Sequence, residues 1–342
     1  MSVPVEEVQL SPSPSDGISC VRFSPDPSDW LLVSSWDSSL SLYDVPSNRL
    51  RLKTDSDPPL LSCAFGAGRG TAFSGGLQGA VTLRDLEQSP NNATLLGSHE
   101  KAASQLCYSA ATSQLYSGSW DGTVAAWDPK SKSRTLLLKQ SDKVFAMSVH
   151  EHLLVVGTAN KRVALYDVRR GDAPPIQEME SPLKYQMRCI EFFPDGQGYA
   201  IGSTEGRVAL EYINQERKGY AFKCHREKIS DSETYVFPIN SIAFHPVFGT
   251  FATGGCDGII NVWDGDNKKR INQFLKNQTT KYPTSIASMA YNHDGTRLAI
   301  ASSYTFEEGE KEYVKGFVSH PDDAIFVRSV QESEVRPKKK GT

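Results

Sequence analysis

The sequence contains neither a long hydrophobic run nor an excess of charge of one sign. No stretch of 18 or more apolar residues occurs in its 342 residues, which excludes a transmembrane helix. Lys and Arg number 37 against 40 Asp and Glu, so the formal net charge is −3. This balance leaves no electrostatic footprint for a nucleic acid or an anionic lipid surface. The first 16 residues lack the basic and apolar segments of a secretory signal. We therefore expect a globular protein with no membrane partner and no direct nucleic-acid partner.

Cysteine is scarce, and no two cysteines form a C-x-x-C pair. This absence argues against a zinc ribbon or a thioredoxin-like redox site. Four of the cysteines lie inside apolar stretches, as in Ile18-Ser19-Cys20-Val21. We interpret them as small buried side chains in a reducing compartment. The six positions are Cys20, Cys63, Cys107, Cys189, Cys224 and Cys256.

Catalytic signatures are also missing. The sequence has no phosphate-binding G-x-x-x-x-G-K-[ST], no H-E-x-x-H zinc motif and no G-x-S-x-G nucleophile motif. His150 and His152 are close in sequence, but two histidines without a third ligand make a poor zinc site. We therefore predict a protein that is not an enzyme and that binds neither a metal nor another cofactor.

One pattern repeats along the chain: a turn of small residues, then an alternating strand that ends in an aromatic residue and an acid. A clear copy is Ser117-Gly118-Ser119-Trp120-Asp121-Gly122, followed by Val124-Ala125-Ala126-Trp127-Asp128. The turns centre on positions 37, 78, 121, 160, 205 and 257, which are separated by 41, 43, 39, 45 and 52 residues. A four-stranded WD-repeat blade has a period of about 40–45 residues. The alternation of apolar and polar residues predicts strands rather than helices.

A seventh, weaker unit begins at Ser285, and its return strand, Ala324 to Arg328, follows an acidic insertion at 306–323. A propeller ring must close, or its last sheet would leave an exposed edge. The only strand-like segment left over is Val5 to Leu10. We therefore predict an all-β fold, a seven-bladed WD40 β-propeller whose ring is closed by the N-terminal strand. A single domain covers 3–331, and a polar basic tail covers 332–342.

The residue just before the acid of each turn is predicted to point outward on one rim of the ring. Two of these residues are tryptophan, and an exposed tryptophan is typical of a binding hot spot. The alternative is that both tryptophans pack against neighbouring loops. Asp37, Asp121 and Asp257 are expected to hold their own turns, and His99 to bond Asp121. The rim positions are Trp36, Leu77, Trp120, Ala159, Thr204 and Cys256.

Basic residues concentrate in the fifth unit and just after it. They form either a solvated face or a clamp for carboxylates or a phosphate, to which arginine gives two parallel bonds. Tryptophans combined with such a cluster suit a short acidic peptide better than a nucleic acid, which would require more positive charge. The residues are Lys184, Arg188, Arg207, Lys223, Arg226 and Lys228.

Several longer strings, among them Glu205 to Tyr212 and Ala221 to Arg226, resemble one small WD-repeat family. It holds the spindle-checkpoint adaptor budding uninhibited by benzimidazoles, member three, and its paralogue, the messenger-RNA export factor. The resemblance spans Asp16 to Arg328, and Leu31 to Asp37 looks like the checkpoint branch. Ser181-Pro182 and the segment from His245 to Thr250 look more like the export factor. The other strings are Ser181 to Cys189, Tyr282 to Ser288 and Leu298 to Tyr304.

The resemblance implies an adaptor of the mitotic spindle assembly checkpoint. Trp36, Trp120 and Arg188 match the family positions that bind the acidic GLEBS segment of a checkpoint kinase or of its pseudokinase-like relative. Arg207 and Lys223 match the positions that hold the phosphothreonine of MELT repeats on the kinetochore scaffold. The family pattern Val-Ala-Val-Glu is replaced here by the conservative Val208-Ala209-Leu210-Glu211. The implied protein is a monomer within a hetero-complex, in the nucleus, at the kinetochore in mitosis and in the cytoplasm.

Two other functions stay open on the sequence alone. One is the messenger-RNA export factor, which would bind the GLEBS segment of a nucleoporin. The other is a substrate receptor of a cullin-type ubiquitin ligase, for which Tyr166-Asp167-Val168-Arg169 is an imperfect motif. The run Lys338-Lys339-Lys340 is either a nuclear-import signal or a solubilising end.

Overall fold

The structure is a computed structural model that describes residues 5–56, 58–307 and 322–337. These residues form short strands joined by tight turns. In the first half the strands are β1 (Glu7–Gln9), β2 (Ile18–Phe23), β3 (Trp30–Ser35), β4 (Ser39–Asp44), β5 (Arg49–Asp55), β6 (Leu60–Phe65), β7 (Thr71–Gly76), β8 (Ala80–Asp85), β9 (Ala93–Ser98), β10 (Ala103–Ser109), β11 (Gln114–Ser119), β12 (Thr123–Asp128), β13 (Ser133–Lys139), β14 (Val144–His150), β15 (Leu153–Thr158) and β16 (Arg162–Asp167). A 3₁₀ turn, Val168–Arg170, follows β16.

The second half continues the same pattern and ends in a helix of four residues. Its elements are β17 (Gln177–Glu180), β18 (Met187–Phe192), β19 (Gly198–Ser203), β20 (Arg207–Tyr212), β21 (Tyr220–Lys223), β22 (Arg226–Lys228), β23 (Thr234–Val236), β24 (Ile239–Phe244), β25 (Phe251–Gly255), β26 (Ile260–Asp264), β27 (Lys269–Phe274), β28 (Ile286–Tyr291), β29 (Arg297–Ser302), β30 (Ala324–Ser329) and α1 (Glu332–Val335). In the described ranges, no helix has the length and apolar character that a membrane crossing requires.

All of these strands except β22 and β23, which form a separate hairpin, assemble into seven four-stranded antiparallel sheets, the blades of a β-propeller. Blades 1 to 6 each use four consecutive strands: β2–β5, β6–β9, β10–β13, β14–β17, β18–β21 and β24–β27. Blade 7 combines β28, β29 and β30 with β1 from the N-terminus. The predicted seven-bladed propeller and its closure by the N-terminal strand are therefore confirmed.

The first strand of each blade is the innermost one. It contacts the first strand of the next blade, and β28 contacts β2, so the seven inner strands surround a central channel. The inner strand β6 is buried along its whole length, whereas the outer strand β5 exposes every second residue. One apolar cluster fills each junction between neighbouring blades. Because apolar burial is the main favourable term in folding, these junctions hold the ring together.

The closing strand β1 is fixed by both backbone and side-chain contacts. Glu7 lies opposite Arg328 in the ladder between β1 and β30, and the Leu10 N–H donates to the Ile325 carbonyl at 2.9 Å. The Leu10 side chain is buried in the junction between blades 7 and 1. The Tyr282 hydroxyl donates to Glu7 Oε2 at 2.7 Å. A short strand of three residues is therefore tied to the blade at several points.

The start of the C-terminal tail differs from the sequence expectation. A polar tail is expected from Glu332, but Val335 is fully buried against blades 6 and 7. The Thr250 hydroxyl donates to the Val335 carbonyl at 2.8 Å, and Glu334 pairs with the buried Arg328. Residues 332–336 therefore belong to the packed body, because one apolar side chain and one ion pair bind them to it. The run Lys338 to Lys340 and positions 308–321 of the acidic insertion lie outside the described residues.

Candidate functional site

The turns between the second and third strands of blades 1 to 6 all lie on one face of the ring, here called the upper face. The register shows this, because Ile18 at the start of the inner strand pairs with Ser35 at the end of the second strand. The first residue of each turn donates its N–H to the loop that precedes the inner strand. Trp36 donates to the Gly17 carbonyl at 2.8 Å and Trp120 to the Ala102 carbonyl at 3.0 Å. Leu77, Ala159, Thr204 and Cys256 make the equivalent bond at 2.9 Å.

The third residue of each turn has a positive φ, which favours glycine. Gly79 shows the need most clearly, with φ of 91° and with the position of a Cβ atom only 2.3 Å from the His99 carbonyl oxygen. Ser38 and Lys161 adopt the same conformation, with φ of 66° and 65°. A residue with a side chain is strained in this region, by roughly 1–2 kcal/mol.

The acids of the turns are used internally, as expected. Asp37 accepts from the Ser39 N–H at 2.9 Å, and Asp121 accepts from the Thr123 N–H at 2.8 Å. Burial acts to raise the pKa of the Asp37 carboxyl, but bonds from Ser39, Ser15 and Lys53 outweigh it and lower that pKa. The ionised carboxylate therefore suits its place in the folded turn.

Two buried histidines each connect the acid of an upper-face turn to a hydroxyl group inside the same blade. His99 Nδ1 lies 3.3 Å from Asp121 Oδ2, and its Nε2 bonds the Ser117 hydroxyl at 2.7 Å. The Trp127 indole donates to that same hydroxyl at 2.7 Å, so acid, histidine, serine and tryptophan form one chain of contacts. This confirms the expected contact of His99 with Asp121.

A second network of this kind occurs in blade 6 and was missed by the sequence analysis. His225 Nδ1 lies 2.9 Å from Asp257 Oδ1, and its Nε2 bonds the Thr253 hydroxyl at 2.8 Å. Trp263 donates to the same hydroxyl at 2.9 Å. The signal in the sequence is the histidine some thirty positions before the turn acid, a relationship that the sequence analysis considered only for His99 and Asp121.

The two rim tryptophans differ from Trp127 of the first network, because each has part of its side chain in solvent. Trp36 is 42% exposed and Trp120 is half-buried, whereas Trp127 is buried. The indole of Trp36 packs on one side against Gly17, where an added Cβ would lie 3.2 Å from Cδ1. An aromatic surface of this kind is available to a partner.

Arg188 is the second residue of the inner strand of blade 5. The ladder with β19 is interrupted there by a β-bulge between Met187 and Cys189. Arg188 is half-buried and lines the upper part of the central channel. It forms no hydrogen bond and no ion pair with any residue of the described ranges. Its charge is therefore available to an anion arriving at the upper face.

Arg207 and Lys223 lie directly opposite each other on β20 and β21. Phe222 packs against Phe251 and Trp263 of blade 6, so Lys223, the next residue, faces away from blade 6. The Nε atom of Arg207 lies 3.3 Å from Glu205 Oε2, and the Arg207 side chain is one-third exposed. Lys223 is exposed and has no ion pair within the part of the chain that is described.

In blades 1 to 4, the equivalent position does not oppose two cations. Blade 1 pairs Ser39 with Asp55, and blade 4 pairs Arg162 with Glu180. Arg162 also binds Glu178, at 3.1 Å. Blade 2 pairs Ala80 with Ser98, and blade 3 pairs Thr123 with Lys139.

A hairpin on the upper face accounts for the long separation of 52 residues between the fifth and sixth turns. It consists of β22 and β23, with Glu227 paired to Tyr235. Arg226 donates to the Glu205 carbonyl at 2.8 Å, which ties the hairpin to the turn beside Arg207. The hairpin and the nearby loop carry exposed apolar side chains that sequence reasoning did not single out: Tyr185, Ile229, Tyr235 and Val236.

Metal-binding and disulfide chemistry have no visible basis in the described ranges. Within them, no group of three or more His, Cys, Asp or Glu side chains could hold a metal ion. All six cysteines are free thiols. The upper face therefore offers aromatic surface and positive charge, which can bind a peptide.

Comparison with known proteins first defines the class. The chain matches the WD domain, G-beta repeat family over residues 7–44, 88–128 and 222–264. Its fold resembles the solved structure of U3-55K with a TM-score of 0.79, at 17% identity over 95% of this chain and 98% of that one. The protein is thus a WD-repeat β-propeller.

Two full-length relatives then define the family. Mitotic checkpoint protein BUB3.1 of Arabidopsis thaliana is 48% identical over 97% of this chain and 95% of the relative. The mRNA export factor GLE2 of Chaetomium thermophilum is 31% identical over 97% of this chain and 92% of its own length. The chain belongs to the family of the mitotic checkpoint protein BUB3, and the export factor represents a paralogous branch. The resemblance drawn from the sequence is confirmed.

Proposed function

We propose that this protein is a non-enzymatic adaptor of the spindle assembly checkpoint. Its upper face binds the acidic GLEBS segment of a checkpoint kinase or pseudokinase-like protein through Trp36, Trp120 and Arg188. It recruits that partner to the kinetochore by binding phosphorylated MELT repeats of the scaffold through Arg207 and Lys223. The proposed places of action are the nucleus, the mitotic kinetochore and the cytoplasm.

The pairing of Arg207 with Lys223 is the observation that carries this proposal. Like charges directly opposite each other across two strands destabilise a sheet. Glu205 compensates only one of the two cations. A phosphothreonine would bring close to two negative charges and three acceptor oxygens at neutral pH. Such a group offsets the repulsion that an unphosphorylated threonine would leave in place.

The rim tryptophans and Arg188 support the first half of the proposal. Partly exposed aromatic side chains provide large contact areas, and Trp and Arg are enriched among residues that dominate binding energy. An acidic segment that passes over the mouth of the channel would meet the unpaired Arg188. Electrostatic complementarity would also speed the encounter of the two partners.

The test is calorimetry with paired peptides. A MELT-type peptide should bind measurably only when its threonine is phosphorylated, and its affinity should fall as salt rises. Arg207→Ala should remove most of the preference for the phosphopeptide, a change of about tenfold or more, because charge-assisted bonds are lost. Binding of the GLEBS peptide should largely survive.

Arg162→Ala is the matched control. Arg162 begins the third strand of blade 4 as Arg207 begins that of blade 5, but it is neutralised by Glu178 and lies opposite Glu180. Its replacement should leave the preference unchanged. If the Arg207→Ala protein still prefers the phosphopeptide to the same degree, the phosphate site lies elsewhere.

The export-factor function is the second candidate, because the GLE2 relative covers 97% of this chain. It predicts the same binding of an acidic segment, in this case from a nucleoporin, without discrimination for phosphate. Affinity purification from mitotic cells separates the two, since either checkpoint kinases or nucleoporins would co-elute. The ubiquitin-ligase alternative depends on one motif, Tyr166-Asp167-Val168-Arg169. Within that motif, Arg169 forms an ion pair with Asp167 at 2.6 Å.

A further inference from the structure

The face opposite the upper face, here called the lower face, carries a pocket at the junction of blades 5 and 6. The loops that form it connect first to second strands and third to fourth strands, so they lie away from the turns of the upper face. Its volume of about 420 Å³ is within the range of ligand-binding pockets. We call this pocket the lower groove, and its lining includes Phe193, Asp195, Tyr212, Arg217, Val247 and Phe248.

The apolar wall of the lower groove is exposed, although the loop that carries it is firmly held. Val247 is 66% exposed and Phe248 is half-buried. His245 Nδ1 accepts the N–H of Val247 at 3.2 Å and that of Phe248 at 3.3 Å. The His245 carbonyl accepts the Gly249 N–H at 3.1 Å. The exposure of these side chains is therefore fixed by the loop, and an exposed apolar surface of this kind marks an interaction site.

The inner part of the lower groove is aromatic and already holds one cation. The Phe193 ring packs edge-on against Tyr212 with centroids 5.4 Å apart, and its centroid lies 5.3 Å from that of Phe244. The guanidinium carbon of Arg217 lies 3.9 Å from the Tyr212 ring centroid. Arg217 Nη2 lies 2.5 Å from Asp266 Oδ1. A guanidinium group is thus held between an aromatic ring and a carboxylate, a combination that suits arginine.

The charges of the lower groove favour a second cation. Three aspartates line it against one arginine, so the formal excess is two negative charges. Asp266 neutralises Arg217, and Asp264 is buried and bonded within its own turn. Asp195 is exposed, accepts the Gln197 N–H at 3.0 Å and forms no ion pair within the described ranges. Asp195 is therefore the carboxylate that is available to a ligand.

We propose that the lower groove binds a short segment of a second protein partner, in which an arginine stands beside a large apolar side chain. The arginine binds Asp195 with two parallel bonds and stacks on a neighbouring aromatic ring, the combination that holds Arg217 in the same pocket. The apolar side chain covers Val247 and Phe248, which removes their exposed surface from water. This inference does not rest on the checkpoint function, because it uses no residue of the upper face.

Other ligands fit the lower groove less well. An acidic or phosphorylated peptide would meet an excess of negative charge. A purely apolar segment would cover Asp195 and leave its charge unpaired, which is costly. The chain's own end after Pro337 supplies three lysines but no apolar side chain that could cover Val247.

The probe is an array of short glycine–serine peptides in which two adjacent positions are varied through all amino acids, tested with the full-length protein. Peptides that combine arginine with an aromatic or large aliphatic residue should bind best. Exchange of their arginine for lysine should weaken binding, because an ammonium group cannot form the two parallel bonds. The affinity of the best peptide, measured by fluorescence anisotropy, should fall as salt rises. A GLEBS peptide should not compete with it.

Two variants test the two contacts separately. Asp195→Asn keeps an oxygen for the Gln197 N–H but loses the charge, so the best peptide should bind about tenfold more weakly. Val247→Ser removes apolar contact and should weaken binding by about threefold or more. Asp294→Asn is the matched control, because Asp294 accepts the Thr296 N–H at 2.9 Å in the equivalent turn of blade 7, outside the lower groove. It should bind the peptide as the unchanged protein does.

Any one of three outcomes overturns the proposal: no peptide that combines arginine with an apolar residue binds, Asp195→Asn binds as tightly as Asp294→Asn, or a GLEBS peptide displaces the probe. A protein that ends at Pro337 tests the remaining occupant. If only this shortened protein binds the probe, the lower groove serves the chain's own end and the proposed partner is wrong. None of these results bears on phosphopeptide binding at blade 5, so a failure here leaves the proposed function in place.

Discussion

Arg207 and Lys223 are register partners on adjacent strands of blade 5 and present two positive charges side by side. The same position in blade 4 pairs Arg162 with Glu180, so the repeat itself does not require two cations there. Like charges directly opposite each other destabilise a sheet, and a bound anion would offset that cost. This contrast between two blades of one molecule is the reason why we propose that blade 5 binds the phosphate.

The rim tryptophans should matter for binding and little for folding. We expect Trp36→Ala and Trp120→Ala each to weaken binding of a GLEBS peptide by about 2 kcal/mol or more, as buried aromatic hot spots do. The melting temperature should barely change, because Trp36 is 42% exposed and Trp120 is only half-buried. Titration calorimetry and thermal unfolding measure the two effects separately.

Trp127→Ala provides the contrast. Trp127 is 3% exposed and bonds Ser117, so its truncation should cost roughly 3–5 kcal/mol of stability. Unchanged peptide affinity for both rim variants, together with a large fall in melting temperature, would show that the rim tryptophans are structural.

Removal of residues 1–10 should open the ring. The deletion removes β1 and the buried Leu10, and it leaves the ladder groups of β30 unpaired at a sheet edge. We expect aggregation or a clear loss of thermal stability, since an exposed edge strand is a template for association. Light scattering and calorimetric unfolding test this, and a soluble truncation with an unchanged melting temperature would show that closure has another basis.

The C-terminal helix should stabilise the fold through one buried ion pair. Glu334→Ala would leave Arg328, which is 2% exposed, without its carboxylate. Breaking a buried pair costs about 3–5 kcal/mol. Glu332→Ala is the control, because Glu332 pairs with Arg336 in solvent and such pairs contribute about 0–1 kcal/mol. Urea unfolding of both variants should show a large difference between them, and equal losses would contradict this account.

Stability should fall as the pH drops below about 6.5, the ordinary pKa of histidine. Burial lowers the pKa of His99, although the charge of Asp121 opposes that shift. Below pH 6.5 the unfolded chain therefore binds a proton at this residue more readily than the folded chain does. The free energy of unfolding must then decrease through the window between the two pKa values.

Urea unfolding at a series of pH values from 7.5 to 5 measures this slope. The His99→Gln protein should show a smaller slope, because one titrating group has been removed. His245, whose pKa is also lowered by burial, should account for part of the slope that remains. An identical slope in the His99→Gln protein would show that His99 does not titrate differently in the two states.

The sequence by itself determined the number of blades, the strand that closes the ring and the rim position of the tryptophans. Each of these depends on local patterns: a small-residue turn such as Ser35 to Ser38, an alternating strand, and a repeat length. The resemblance of strings such as Glu205 to Tyr212 added the family and the roles expected for Arg207 and Lys223. These inferences were possible because every blade builds nearly the same unit from consecutive residues.

Only the tertiary structure decided which residues from different blades meet. Arg188 and Asn240 are 52 positions apart, and both line the central channel from β-bulges in two neighbouring inner strands. Val335 was expected in a tail, yet it is buried in the apolar cluster between blades 6 and 7, which includes residues as distant in the chain as Ala243. A repeat pattern reflects the order of strands and turns within one blade. Contacts between blades depend instead on how the ring closes, and only the three-dimensional packing fixes them.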